Sequence, residues 1–324
     1  MSNNSFKPLY SKHFSVVKTV GDKISKKFLG YIGLIRPFTL LAPLIVSTCI
    51  MVASYVVNNN GFTGIWSGIW YIVLPASLSL TLLNAASNAL NQITDIESDR
   101  ISKPYRPLPR GLLTVFQAFI ASIIFYITSI IIAWFINIKF FSLVLLIVFF
   151  TITYSLPPRF KKMLFLNQIW VAIPRGFLGI LAGWSVFGSP TQPIPLIGAT
   201  ISFFFMIGGC VTKDITDSYA DSITGTKTLI NTYGLEKTSF MVFPFLFTPF
   251  LIIPITIDMG LLNTIFWPLT LLVIPGFFIF YLMFRNQNIS SKLENTFAWS
   301  LMYITYFLFA FSLSILSIIQ VIIL

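Results

Sequence analysis

Stretches of about 20 mostly apolar residues, each long enough to cross a bilayer as a helix, recur along this chain. Nine are countable, over 38–57, 69–91, 113–135, 138–156, 166–188, 194–212, 239–257, 263–284 and 297–323. In lipid, such a segment satisfies its backbone polar groups only as a helix. The chain therefore reads as an all-α polytopic membrane protein with nine transmembrane helices. Composition agrees: 10% of residues are charged, where a soluble domain carries roughly 25%. A water-soluble enzyme and a disordered chain are both excluded. Cys49 and Cys210 lie inside apolar runs, and the lone histidine, His13, sits in a polar leader, so no disulfide framework, zinc site or histidine triad is proposed.

The chain carries 21 Lys and Arg against 10 Asp and Glu, an excess that could suggest nucleic acid. The positions argue instead for one membrane face and no nucleic acid. With the N-terminus cytoplasmic, the inner segments 1–37, 92–112, 157–165, 213–238 and 285–296 hold 19 of the 21 basic residues. The exceptions are Lys139, at an outer turn, and Arg175, within the fifth span. The expected protein is a multi-pass integral membrane protein of the cytoplasmic membrane, with its C-terminus outside. Residues 1–35 form a basic cytoplasmic leader without the apolar core of a signal peptide, and 36–324 the membrane domain.

The acids are concentrated. Six of the ten fall in two windows, 95–99 and 214–221. Asn84, Asn88, Asn91, Asp95 and Asp99 step by 4, 3, 4 and 4, one face of a helix that must look into the bundle. Asp214, Asp217 and Asp221 step by 3 and 4 on another helix. Like charges at this spacing repel, and two such edges call for a cation. Oxygen donors without His or Cys favour Mg2+, which binds through one or two carboxylates together with substrate phosphates. Basic loops flank both clusters: Arg100, Lys103, Arg106 and Arg110 after the first, Arg159, Lys161 and Lys162 after the fourth span, Lys213 and Lys227 around the second. The arrangement reads as a diphosphate clamp, with solvated helix ends or proton-relay acids as the plainer reading.

Asn91-Gln-Ile-Thr-Asp95-Ile-Glu-Ser-Asp99 and Asp214-Ile-Thr-Asp217-Ser-Tyr-Ala-Asp221 resemble the two aspartate motifs of the UbiA family of intramembrane prenyltransferases. Arg36-Pro37, the run Lys103-Pro-Tyr-Arg106-Pro, Tyr154 with Lys161, and Gly225 to Leu229 are similar to further family elements. The resemblance covers about 34–320. It departs at Gln92, where Asp is frequent, and at Thr39, where Asn is frequent. Tyr154-Ser-Leu-Pro-Pro looks more like the chlorophyll-synthase-like branch.

The resemblance implies a bundle of nine helices around a central cavity, with cytoplasmic cap loops. It also implies Mg2+-dependent transfer of a polyprenyl group, such as geranylgeranyl, from its diphosphate to a lipophilic acceptor. Asn91, Asp95, Asp99, Asp214, Asp217 and Asp221 would then hold metal and diphosphate, with Asp95, Asp99, Asp217, Asp221 and Tyr154 catalytic. Arg106, Lys161 and Lys213 would bind phosphate oxygens, and Tyr154 would face the scissile C–O bond or the allylic cation. Arg175 either holds an anionic acceptor group or snorkels to an interface. The acceptor is open among an isoprenoid glycerol lipid, a quinone precursor and a tetrapyrrole; chain length and oligomeric state are open too. A secondary transporter using intramembrane carboxylates is the alternative, although its site would lie near the bilayer midplane.

Overall fold

The computed structural model describes residues 25–285 and 296–323. Residues 1–24 of the leader and most of the 285–296 inner segment lie outside the described residues; 25–35 are helical. The bundle is built from α1 (Pro37–Asn58), α2 (Ile65–Thr94), α3 (Val115–Ile136), α4 (Ile138–Ser155), α5 (residues 166–185), α6 (Pro193–Ile223), α7 (Leu235–Asp258), α8 (Thr264–Arg285) and α9 (Phe297–Ile323). Among the described residues, eight helices are long and apolar enough to cross a membrane, α5 being the segment that falls short. Large apolar side chains such as Phe116, Trp134 and Phe135 stand on the outer surface, as a lipid-facing wall requires.

Each helix packs on the next, and α9 returns to α1, so the bundle closes on itself around a cavity. Small polar residues hold neighbours close: Ser79 and Ser129 exchange hydroxyl-to-carbonyl bonds of 2.8 Å between α2 and α3, and Ser122 donates to the carbonyl of Ala86. At one end α1 meets α5 directly, where the Ser54 hydroxyl donates to the carbonyl of Trp184 and Gly183 lies against Ile50. That contact narrows the cavity opposite the aspartates.

The split expected at 137–139 is a cap. The Asn137 side-chain oxygen accepts from the Phe140 N–H at 2.9 Å, while its amide donates to the carbonyls of Ser185 and Val186. Thr114 and Gln117 form a reciprocal capping box at the start of α3. Several spans are less regular than their hydropathy suggests. Alpha helix gives way to a π turn at Ile69–Val73 in α2 and Ile173–Leu178 in α5, and to 3-10 turns at Thr248–Leu251 in α7 and Thr264–Leu272 in α8. Pro75, Pro174, Pro249 and Pro268 lie in or beside these turns, each removing a backbone donor.

α6 is longer than expected. After one residue of turn geometry at Cys210, the 194–212 helix continues to Ile223, 31 residues or about 46 Å in all, against about 30 Å of hydrocarbon. Its last turns, carrying the second aspartate motif, therefore extend toward the membrane surface.

α7 and α8 pack at backbone contact. A Cβ built on Gly276 would stand 2.2 Å from the carbonyl oxygen of Leu246. Gly276→Ala is expected to destabilise the fold by about 1–3 kcal/mol, read as a lower unfolding midpoint in detergent. Gly260→Ala, in the open turn between α7 and α8 at φ 72°, costs only the left-handed backbone strain of about 1–2 kcal/mol.

Candidate active site

The polar stripe on α2 divides its labour. Asn84 donates to the carbonyl of Thr39 at 3.1 Å, and Asn88 donates to Thr39 Oγ1 at 2.8 Å and to the carbonyl of Ile35 at 2.9 Å. Gln92 donates to the carbonyl of Leu34 at 2.7 Å. The upper stripe thus anchors the start of α1 while still lining the cavity through Asn84 and Asn88. The helix does not run straight through the motif as the spacing alone suggests. Asp95 leaves helical geometry at φ −108°, and Asp99 rides on a separate short helix, Ile96–Ser102.

The second motif faces this end of α2 across a polar recess. Asp95, Asp99, Asp214, Asp217 and Asp221 line it together with Asn91, Lys103, Arg106, Lys161 and Lys213. The two motifs are joined by an ion pair between Lys103, which follows the short helix, and Asp217 on α6. Lys213 stands 4.0 Å from Asp217. Arg106 donates from Nη1 to both oxygens of Asp99 at 2.7 Å. Lys161 reaches Asp95 at 2.6 Å, Asn91 Oδ1 at 3.0 Å and Thr94 Oγ1 at 2.6 Å. Arg159 lies 3.6 Å from Asp95 and donates to the carbonyl of Thr94. Among the described residues, Asp214 and Asp221 carry no ion pair.

Burial tunes these charges. It holds the Asp99 carboxyl above its ordinary range although Arg106 pulls the other way. It pushes the Lys103 amine down, with Asp217 opposing, and the Lys161 amine down to about 8, with Asp95 opposing. Both lysines would regain stability as cations beside a further anion.

Below the recess a larger cavity, about 1710 Å³ including its open mouth, runs between the helices. Its walls are mainly apolar, with Leu80, Leu83, Ile147, Met206 and Met302 among them. Asn91, Tyr154, Asn167, Lys213 and Asp214 line both spaces and mark their junction. Arg175 lines only the cavity. Beside the recess the Lys227 N–H meets the carbonyl of Lys162, and Thr228, one of the residues that line it, caps the short helix Leu229–Tyr233.

All the expected motif residues are thus brought to one recess, with Tyr154 at its floor and Arg175 apart. Arg159 was legible only as a member of a basic loop, Lys103 also as the start of the Lys103-Pro-Tyr-Arg106-Pro run, and Asn167 was not singled out.

Among the described residues no three acidic, His or Cys side chains group closely enough to hold a metal ion alone. The donor set nonetheless fits Mg2+ bound with a diphosphate, because that ion needs one or two carboxylates and completes its shell with phosphate oxygens and water. Five carboxylates and four cations line the recess. A diphosphate alone would add to the excess of negative charge, and a divalent cation arriving with it restores the balance.

A digeranylgeranylglyceryl phosphate synthase from Saccharolobus solfataricus is 31% identical over 177 residues, 53% of this chain and 62% of that protein. One of the same name from Sulfurisphaera tokodaii is 29% identical over 176 residues, 54% of this chain and 63% of that protein. Each match spans less than two thirds of the relative's length. A UbiA homolog from Archaeoglobus fulgidus, solved with GPP and Mg2+, shares the fold at a TM-score of 0.68 and 20% identity, covering 91% of this chain and 100% of that one. With residues 40–304 matching the model of the UbiA prenyltransferase family, the chain belongs to that family.

Proposed function

We propose that the protein transfers a polyprenyl group, of geranylgeranyl type, from its diphosphate to a lipophilic acceptor, releasing diphosphate. The carrying observation is that two aspartate motifs from different helices line one recess, with four cations, at the mouth of an apolar cavity. The names of the relatives favour an isoprenoid glyceryl phosphate as acceptor over a quinone precursor or a tetrapyrrole. The acids lie at helix ends beside basic loops, which supports phosphate chemistry over the midplane site of a transporter. The basic inner segments support a cytoplasmic recess, in a cell membrane crossed nine times with α5 as the fifth crossing.

The diphosphate lies in the recess and the prenyl chain in the cavity. Asn91, Asp95, Asp99, Asp214, Asp217 and Asp221 would hold Mg2+, which when bound neutralises the diphosphate and makes it a better leaving group. Lys161, Arg106 and Lys213 donate to its oxygens. The C1–O bond breaks with its electron pair on the diphosphate. The acceptor oxygen supplies the pair for the new bond to C1, and its proton passes to solvent or to the departing diphosphate. Tyr154, at the junction, faces the allylic carbon, and the apolar wall keeps water from it.

The test is incubation of purified protein with labelled prenyl diphosphates and a panel of acceptors. Chelation by EDTA is expected to lower transfer by about 10²-fold or more, with Mg2+ restoring it. Full activity in EDTA would overturn the proposal.

A further inference from the structure

α5 presents two polar groups to the cavity that the clamp does not use. Arg175 lines the cavity with its side chain exposed there, and among the described residues its guanidinium has no ion pair or hydrogen bond. It stands nine residues after Leu166 and ten before Ser185, about 14 Å from either helix end. That is farther than the side chain reaches, so snorkelling to a membrane surface does not account for it. A cation at such depth marks a ligand or an ion path.

The position of Arg175 is also built. It lies in the π turn Ile173–Leu178, a local geometry frequent at functional sites. The Tyr306 hydroxyl of α9 donates to its carbonyl at 2.9 Å. The neighbouring Gly176 lets the turn sit on the α6 backbone, where a Cβ would come within 2.8 Å of the carbonyl oxygen of Ser202. The rung that carries the guanidinium is therefore held from two sides.

Gln168 is the second, independent observation. Two turns earlier on the same helix it lines the same cavity, is 4% exposed, and neither polar atom of its amide has a partner. A buried amide left unmet costs about 1–3 kcal/mol. Gln168 and Arg175 are about 10 Å apart along the helix, and neither lines the diphosphate recess.

Resting on the transferase reading above, we propose that Gln168 and Arg175 form the polar subsite of the acceptor. Arg175 grips an anionic group of the acceptor, a phosphate or a carboxylate. Gln168 hydrogen-bonds the polar atoms between that anion and the clamp. The separation sorts two anions: the recess, with five carboxylates against four cations, suits a diphosphate that brings its metal, whereas Arg175 offers the cavity a cation without an ion pair.

The test is equilibrium binding to the full chain in detergent. The probes are a tritiated prenylglyceryl phosphate, the matching phosphate-free prenylglycerol, an aromatic hydroxycarboxylate, and a prenyl thiolodiphosphate with Mg2+ as donor analogue. Whichever anionic acceptor probe the wild type binds should weaken about 30-fold in Arg175→Gln and less than about tenfold in Arg175→Lys. Gln168→Leu should weaken it about fivefold. The donor analogue and the phosphate-free lipid should change by less than about threefold in every variant. Unchanged binding of the anion in Arg175→Gln overturns the subsite, as does an equal loss of all probes or a wild type that binds neither anion. A wild type that fails to bind the donor analogue contradicts the transferase reading instead, since the subsite is judged on the anionic acceptor alone.

Discussion

Asparagine in place of Asp217 is expected to lower prenyl transfer by about 10³-fold while the protein stays folded. Asp217 lies on α6 with its side chain 13% exposed, paired to Lys103 from the loop that follows the first motif. The amide has the same shape and keeps an oxygen for the lysine, so the bridge between the motifs survives. Lys103 adapts, because burial already favours its neutral form. What disappears is negative charge where the metal–diphosphate would sit. Turnover should fall while the unfolding midpoint holds, and Asp258→Asn, exposed at the far end of α7, should change neither. A rate within tenfold of wild type would remove the second motif from the chemistry.

Arg106→Ala is expected to strike the fold as well as the reaction. Asp99 is 4% exposed at its side chain and takes both of its short bonds from Arg106. Without the guanidinium a buried carboxylate is left unpaired, at a cost of about 3–5 kcal/mol. Protonation absorbs part of this, since burial already raises the Asp99 carboxyl. The loop loosens too: its backbone turns from Lys103 to Arg110 remain, but the side-chain tie that holds them to Asp99 is gone. A lower unfolding midpoint and faster amide exchange over 103–112 are the readouts. The joint replacement Asp99→Leu with Arg106→Leu should recover most of the stability, as apolar substitutes for buried pairs often do, and remain inactive. A melting curve for Arg106→Ala that overlays the wild type would contradict this account.

Hydropathy located the spans well because lipid leaves the backbone few alternatives: 38–57 is Pro37–Asn58, and 297–323 is Phe297–Ile323. The Asn137 break was visible as a polar interruption, although not the bonds to Ser185 and Val186 that fix it. The turns in α2, α5, α7 and α8 were foreshadowed only by prolines, whose effect depends on which neighbour takes up the freed carbonyl. Periodicity gave the faces of both aspartate motifs but not the break at Asp95 or the extension of α6 to Ile223. Asn84 and Asn88 read as members of a polar stripe, and only three-dimensional packing reveals that they hold α1. The partnership of Lys103 with Asp217 spans 114 residues and leaves no local signature.

The central claim is that two motifs from distant parts of the chain act on one ligand, and a double-mutant cycle on its binding tests this most directly. Affinity for the prenyl thiolodiphosphate with Mg2+ would be measured for wild type, Asp95→Asn, Asp217→Asn and the double variant. One shared ligand predicts that the second substitution costs far less once the first is present, a coupling of about 1 kcal/mol or more. Full affinity for this probe in either single variant would mean that the motifs serve separate ligands, and the account would be wrong.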